Sequence, residues 1–323
     1  MYLEATVQHD DFNDLLRRVP DFTTPQLKKL RHHIEKRVKL DAVYETLTAS
    51  EEAVTQCPYC QSKMFIRWGS SGNERQRYRC KHCAKTFNAL VGSPLYRMRK
   101  EELWLEYVET MRYGLSLRKA AKVTGVSLRT AFRWRHAFLS SPRDHKATSL
   151  SGIIEADETF LPESFKGKKT MPRPARKRGG GKVTQVPIAL ALDRSGHITH
   201  HVLEHDTKEE IIAALAPVIR ENSVLCTDGN LSYVEMVKTF DHLEHKRLIA
   251  KDNSRVVEGV YHIQTLNNFT QRWKGWLKRF HGVGTARVDN YLAWFRFMDE
   301  REEFQDIVWV REAIPSLEWP TNR

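Results

Sequence analysis

The sequence lacks any long run of apolar residues. No segment approaches the roughly eighteen consecutive apolar residues from which a membrane-spanning helix is built. The first residues, MYLEATVQHDD, also lack the basic stretch followed by an apolar run that is typical of a secretory signal. We therefore expect neither membrane insertion nor secretion, and a cytoplasmic protein of bacterial type fits best.

Acidic residues are outnumbered: 40 Asp and Glu face 52 Lys and Arg, which leaves a net charge of +12. Such a surplus favours a polyanionic partner, with DNA or another nucleic acid the leading candidate, over a basic surface that is merely solvated. At 323 residues, of which 41% are hydrophobic, the chain is long enough to bury a sizeable core and to divide into two or three domains.

Cysteine is scarce, and four of the five cysteines fall in CPYC (57–60) and CKHC (80–83). The C-x2-C-x19-C-x2-C spacing predicts a structural Zn²⁺ site, because two such knuckles complete a closed shell of four thiolates. The expected ligands are Cys57, Cys60, Cys80 and Cys83. The stretches MFIRW, RQRYR and TFNAL are predicted strands, so the segment is typical of a zinc ribbon.

Disulfides or a coincidental spacing are the alternatives to this zinc site, and a chain without a secretory signal should keep its thiols reduced. His82 could replace a neighbouring cysteine, although four cysteines make this unnecessary. Cys226 lies alone in the apolar run SVLC and is expected to be a small buried hydrophobe.

Helical periodicity follows the ribbon and predicts three short helices between about residues 101 and 141. Ala120 and Ala121 allow close packing, Gly125 permits a tight turn and Ser127 can cap the next helix, as in a helix-turn-helix. The side chains expected near DNA are Arg129, Thr130 and Arg133. A plain helical linker is the alternative.

Two amphipathic basic helices are predicted within residues 1–50, around LLRRV and PQLKKLRHHIEKRVKL, with TTP as a start signal between them. This pattern is compatible with contact to DNA, contact to another subunit, or a solvated helical face.

From about residue 151 the pattern changes to strand, strand, strand, helix, strand, helix, strand and a long aromatic helical region to about residue 300. The first helix, TKEEIIAALAPVIREN, is expected to continue through Pro217. This order predicts an α/β domain of ribonuclease H-like type, a mixed sheet with flanking helices. Asp157 and Asp228 would then lie at adjacent central strand ends.

Two such carboxylates could hold Mg²⁺ or Mn²⁺ through oxygen and leave coordination positions for phosphate and water. A lone Asp at a strand end is usually a solvated turn residue, but the pair in this order of elements favours a metal site. A basic, glycine-containing insert, Arg173–Lys182, would either grip a DNA backbone or remain a solvated loop.

Together these motifs resemble the bacterial insertion-sequence transposases that join a zinc ribbon and a helix-turn-helix to a ribonuclease H-like, ISXO-type catalytic domain. The resemblance runs from about Cys57 to residue 300 and rests on CPYC with CKHC, EADET, CTDGN, and H-x4-N-x6-K followed by FHGVGTARVDNYLAWFRF. It implies a third catalytic residue, Glu or in some branches Asn, seven positions before a Lys. The implied catalytic set is Asp157, Asp228, Asn267, Lys274 and His262, the first three as Mg²⁺ ligands.

The helix itself supports this assignment, because seven residues make almost two turns. Asn267 therefore shares a face with Lys274 and Lys278, which would contact DNA, while aromatic side chains occupy the other face. Asn267 also has a simpler explanation as helix-start chemistry. An amide brings no negative charge, and the acidic substitutes upstream, Glu258 and Asp252, have the wrong spacing from Lys274.

The resemblance implies a DNA transposase that binds terminal inverted repeats and catalyses strand cleavage and strand transfer, as a homodimer or higher oligomer on DNA. The alternatives are a non-catalytic DNA-binding regulator or inactive transposase derivative, and a nuclease without strand transfer. The predicted domains are a basic helical region (1–50), the zinc ribbon (51–95), the helix-turn-helix region (96–145), the catalytic domain (146–310) and a C-terminal tail (311–323).

Overall fold

The computed structural model describes residues 9–71, 75–168, 170–171, 184–249, 256–300 and 306–314. They divide into two compact units. The N-terminal unit contains the described residues up to Val91 together with Arg97–Leu105, and the second contains Gly92–Tyr96 and the described residues from Glu106 onward. The five predicted domain ranges are finer than this division and stay predictions.

Two helices begin the N-terminal unit, α1 (His9–Arg18) and α2 (Thr24–Glu52). The TTP signal starts α2 as predicted: Pro25 lies in its first turn, and the Thr23 backbone N–H donates to Gln26 Oε1 at 2.8 Å. The later part of α2 packs, with Val43 and Leu47 buried. Its earlier part leaves apolar side chains exposed, among them Leu27, Ile34 and Val38.

The cysteine-bearing segment of the N-terminal unit forms a three-stranded antiparallel sheet in the order β1 (Phe65–Ser70), β2 (Gln76–Cys80), β3 (Thr86–Phe87). Aromatic rings from all three strands hold it together, since the Phe65 ring lies 5.4 Å from Tyr78 and 5.7 Å from Phe87, centroid to centroid. The predicted strands of this segment are present.

The predicted helical segment contains α3 (Trp104–Arg112), α4 (Leu117–Thr124) and α5 (Leu128–Phe138), followed by the short α6 (Ser140–Asp144). Gly125 ends α4 with φ +66°, a left-handed conformation that favours glycine. Ser127 then caps α5 by accepting the Thr130 N–H at 3.1 Å. The turn and the cap are those expected from the sequence.

A five-stranded mixed sheet forms the centre of the second unit. Its strands are β4 (Ile153–Pro162), β5 (Gln185–Asp193), β6 (Ile198–Val202), β7 (Val224–Thr227) and β8 (Glu244–Arg247). The spatial order is β6-β5-β4-β7-β8, and only β5 runs against the others. This is the ribonuclease H-like arrangement, and the predicted fold class is confirmed.

The helices of this unit are α7 (Lys208–Leu215), α8 (Leu231–Val237), α9 (Gln264–Leu277), α10 (Val288–Asp299) and α11 (Ile307–Glu312). The prediction of one helix continuing through Pro217 is wrong: α7 ends at Leu215 and a 3₁₀ turn, Ala216–Val218, follows. Proline has no N–H to donate and disfavours the helical conformation of the residue before it.

Alternate side chains of β4 serve opposite faces of the sheet, because successive residues of a strand point to opposite sides. Ile154 and Ala156 join the buried cluster that α7 and α8 complete. Glu155 and Asp157 therefore point to the other face, where α9 packs against β4 and β5. The sheet thus places one row of carboxylates toward α9.

Candidate metal and nucleic-acid sites

Asp157 lies in β4, and Asp228 directly follows the end of β7, the parallel strand beside it. The register pairs Ile153 with Val224 and continues through Glu155 and Cys226. Continued by two residues, this register would bring Asp157 level with Asp228, and the charge of Asp228 does act on Asp157. The two carboxylates that the sequence predicted at adjacent strand ends are therefore neighbours.

The pKa of Asp157 is raised to about 7, first by burial and then by the negative charges of Asp228 and Glu158. The Glu158 N–H, which donates to Asp157 Oδ1 at 2.9 Å, and the ammonium of Lys274 act in the opposite direction. Two carboxylates with one nearby cation form a site of surplus negative charge.

Helix α9 carries the remaining predicted catalytic side chains. Asn267 is exposed in its first turn, and Lys274 is half-buried two turns later. Burial lowers the pKa of Lys274, and the charge of Asp157 opposes this shift, so the ammonium lies within the field of the carboxylate. The opposite, buried face consists of Leu266, Phe269, Thr270, Trp273 and Trp276.

The two adjacent amides of this helix differ in their surroundings. Asn268 Oδ1 accepts a hydrogen bond from Arg272 Nε at 2.8 Å, and Arg272 in turn pairs with Asp299. Asn268 thus belongs to a surface ion-pair network. Asn267, one residue earlier, projects from a different side of the helix, in the direction shared with Lys274.

His262 contacts an ion pair, Glu155 with Arg194, that was not predicted from the sequence. Its Nδ1 lies 3.4 Å from Glu155 Oε1, and the guanidinium of Arg194 lies 3.1 Å from its Nε2. Arg194 itself pairs with Glu155 at 3.0 Å. A glutamate in the otherwise apolar start of a central strand, two residues before Asp157, was the signal available in the sequence.

Glu158 is a second carboxylate that was not predicted from the sequence to lie at this site. Its Oε2 accepts from Asn230 Nδ2 at 3.2 Å, and the buried Tyr233 side chain lies close to it. Burial raises the pKa of Glu158, while its polar contacts with Tyr233 and Asn230 act in the opposite direction. Because it points to the α8 side of β4, Glu158 supports the loop after Asp228.

The four cysteine sulfurs predicted to bind zinc, at positions 57, 60, 80 and 83, lie within 4.8 Å of one another. Cys80 Sγ accepts backbone N–H groups of His82 at 3.3 Å and Cys83 at 3.5 Å. These contacts, the one from Cys83 foremost, lower the pKa of Cys80 to about 6 and favour its thiolate. The cluster could hold a metal such as zinc.

The helix-turn-helix side chains are presented unequally. Arg129 and Arg133 are exposed on α5, whereas the Thr130 hydroxyl lies 2.9 Å from the Ser127 hydroxyl within the helix cap. The fifth cysteine, Cys226, is buried as expected. Lys278, also predicted near DNA, is exposed immediately after α9.

Three other predicted groups remain to be accounted for. The basic insert Arg173–Lys182 and Asp252 lie outside the described residues. Glu258, a possible acidic substitute for Asn267, is exposed and pairs with Lys246 at 2.5 Å. Within the described ranges, none of the helices combines the length and the apolarity needed to cross a membrane.

Solved structures with a partial likeness include two of the Mos1 transposase. Its paired-end complex with the left transposon end is 13% identical, covering 61% of this chain and 75% of that one, at a TM-score of 0.23. Its strand transfer complex is 15% identical, covering 66% and 78%, also at 0.23. At these scores the chains do not superpose as wholes.

Sequence relatives are more informative. An uncharacterized protein of transposable element ISH50 from Halobacterium salinarum is 29% identical over 261 residues, 76% of this chain and 85% of the relative. Residues 149–300, which hold the sheet and helices α7 to α10, match the family model of the ISXO2-like transposase domain. These residues are similar to an ISXO2-like transposase domain, and most of the chain is similar to a protein of a transposable element.

Proposed function

We propose that this protein is a transposase that binds the terminal inverted repeats of its element and catalyses metal-dependent cleavage and joining of DNA strands. The observation that carries the proposal is the proximity of Asp157 in β4 to Asp228 after the parallel strand β7, whose charge adds to burial in raising the pKa of Asp157. Lys274, whose charge acts on Asp157, adds a cation where a DNA phosphate would approach.

The donor set fits Mg²⁺ or Mn²⁺. Asp157, Asp228 and the amide oxygen of Asn267 are hard oxygen ligands of the kind that these cations prefer. A divalent cation would also relieve the repulsion that raises the pKa of Asp157. When bound, it would supply charge neutralisation at the phosphodiester that reacts.

The chain's own residues would hold the DNA for two in-line displacements. In cleavage, a water oxygen bonds to phosphorus at the element end, the P–O3′ bond breaks, and a 3′ hydroxyl and a 5′ phosphate are left. In strand transfer, that hydroxyl attacks a target phosphodiester, whose own 3′ oxygen leaves. Lys274 and Lys278 would fix the phosphates, and no covalent enzyme intermediate is required.

End recognition would lie in the preceding elements. Arg129 and Arg133 on the exposed side of α5 would reach base edges and phosphates, with Thr130 beside them in the cap. The four-cysteine cluster would hold Zn²⁺ and stabilise the ribbon. Since two element ends must be processed together, the active assembly would be at least a dimer on DNA.

An assay with a labelled element end, flanking DNA and a target plasmid, in Mg²⁺ or Mn²⁺, tests the proposal. Wild-type protein should nick the end and join it to the plasmid, while Asp157→Ala and Asp228→Ala should bind the end and do neither. Binding without breakage by the wild type would favour a non-catalytic regulator. Breakage without joining would favour a nuclease.

A further inference from the structure

Glu155 is a fully buried carboxylate in the central strand of the second unit, with no exposed surface. Burying a carboxylate without partners is strongly unfavourable, so its partners show what it stabilises. Those partners are the Arg194 guanidinium, the His262 ring and the backbone N–H of Leu266. None of the three belongs to β4. Leu266 lies in the first turn of α9, and His262 lies two residues before that helix.

The contact with Leu266 caps α9 from outside. The first N–H groups of a helix have no partner within the helix, and Ile263, at the N-cap position of α9, offers no side-chain hydrogen bond. Glu155 Oε2 accepts the Leu266 N–H at 2.8 Å. A negative charge at a helix N-terminus is also favourable to the helix dipole.

Arg194 connects the same carboxylate to the segment before the helix. While one of its nitrogens lies 3.0 Å from Glu155 Oε1, its guanidinium also donates to the carbonyl of Val260 at 3.2 Å and to Thr265 Oγ1 at 3.5 Å. The start of α9 is therefore held against β4 by the contacts of Glu155 and Arg194, which we call the α9 anchor.

The anchor lies directly beside the candidate catalytic groups. Glu155 and Asp157 point to the same face of β4, and Asn267 follows Leu266 in α9. We propose that Glu155 is a positioning residue: by holding the Leu266 N–H and Arg194, it sets the position of α9 so that Asn267 and Lys274 face Asp157 and Asp228. This role rests on the proposed function for those four residues.

The test compares Glu155→Ala and Glu155→Gln with wild-type protein in two measurements. Amide hydrogen exchange around Leu266 reports the anchor itself, and Mn²⁺ affinity measured by electron paramagnetic resonance reports the geometry of the metal site. Glu101→Ala is the matched control, because Glu101 is a buried carboxylate paired with an arginine, Arg75, in the N-terminal unit.

Glu155→Ala should speed exchange at Leu266 roughly tenfold or more and weaken Mn²⁺ binding about 10-fold to 100-fold, although Asp157 and Asp228 are intact. Glu155→Gln keeps the side-chain length and one acceptor, so it should restore most of the protection at Leu266. Should Glu155→Ala fail to fold, Glu155→Gln still decides, since it should retain protection at Leu266 yet bind Mn²⁺ more weakly through loss of the Arg194 pair.

The proposal is overturned if both Glu155 variants bind Mn²⁺ like wild type, or if Glu101→Ala reproduces the change in exchange and affinity. Failure of the proposed function looks different. In that case the wild type itself would not bind Mn²⁺ through Asp157 and Asp228, while the exchange measurement would still report whether Glu155 anchors α9.

Discussion

The guanidinium of Arg135, fully buried in α5, lies 4.9 Å from the ring centroid of Trp294 in α10. One of its nitrogens also donates to the carbonyl of Leu115 at 2.7 Å. A buried cation against an aromatic face is held more strongly than an exposed one. These contacts hold the helix predicted to read DNA against α10, which packs beside the five-stranded sheet.

Two arginines of α5 should therefore respond differently to substitution. Arg135→Ala should lower the free energy of unfolding by about 2–4 kcal/mol, because it removes a desolvated cation–π contact and a hydrogen bond from a charged group. Arg133→Ala, on the exposed side of the helix, should change it by less than about 0.5 kcal/mol yet weaken binding to element ends. Denaturant unfolding and electrophoretic mobility shifts measure the two effects. The reverse pattern would contradict the assigned orientation of α5.

Zinc binding should depend on the four clustered cysteines and not on Cys226. Wild-type protein and Cys226→Ala should each carry one zinc ion per chain, and Cys60→Ser should carry none, because a structural zinc shell requires four ligands. Elemental analysis gives the stoichiometry. Loss of the metal should also unfold the ribbon and weaken DNA-end binding. Full zinc occupancy in Cys60→Ser would refute the assignment.

Metal affinity should depend on pH through Asp157. With a pKa of about 7, its carboxyl must release a proton on binding Mn²⁺, so affinity should rise about tenfold per pH unit below pH 7 and level off above it. Titration calorimetry in two buffers measures the proton release. Asp228→Asn should lower the pH at which the affinity levels off, since it removes a charge that raises the pKa of Asp157.

The raised pKa of Asp157 also predicts how the stability of the metal-free protein depends on pH. The folded state binds the Asp157 proton up to about pH 7 and the unfolded state only to about pH 4. Stability from this group is therefore present at low pH and is lost as pH rises from about 4 to 7. Unfolding curves of wild type and Asp157→Asn should converge at low pH and separate in favour of the variant near neutrality.

Asn267 and Asn268 offer an internal comparison of ligand and surface amide. Asn267→Ala should slow strand cleavage at least roughly tenfold, because it removes a proposed metal ligand. Asn268→Ala should leave cleavage unchanged, because that side chain bonds only to Arg272 among its described hydrogen bonds. Single-turnover rates measure both. Full activity of Asn267→Ala together with loss of activity in Glu258→Ala would move the third ligand to Glu258.

Much of the architecture followed from local patterns. Alternating and periodic apolar residues gave the correct order from β4 to α10, and short-range chemistry predicted the turn at Gly125 and the cap at Ser127. The error at Pro217 was also local, since a missing N–H outweighed an otherwise helical pattern.

The ion-pair cluster around Glu155 could not be predicted in the same way. Its partner Leu266 is 111 positions away, and only the folded sheet brings the two together. A glutamate in an apolar strand shows that a partner must exist, but not which helix supplies it. His262 was expected to be catalytic through the family resemblance, and that role stays a prediction beside its contacts with Glu155 and Arg194.

The central claim, that Asp157 binds the metal that supports DNA strand cleavage, is tested most directly by a change of ligand. Asp157→Cys replaces a carboxylate with a thiol, which binds Mn²⁺ far better than Mg²⁺. Single-turnover cleavage of an element end should occur in both metals for the wild type, and for Asp157→Cys in Mn²⁺ but not in Mg²⁺. Equal cleavage by Asp157→Cys in Mg²⁺, or no cleavage by the wild type in either metal, would contradict the account.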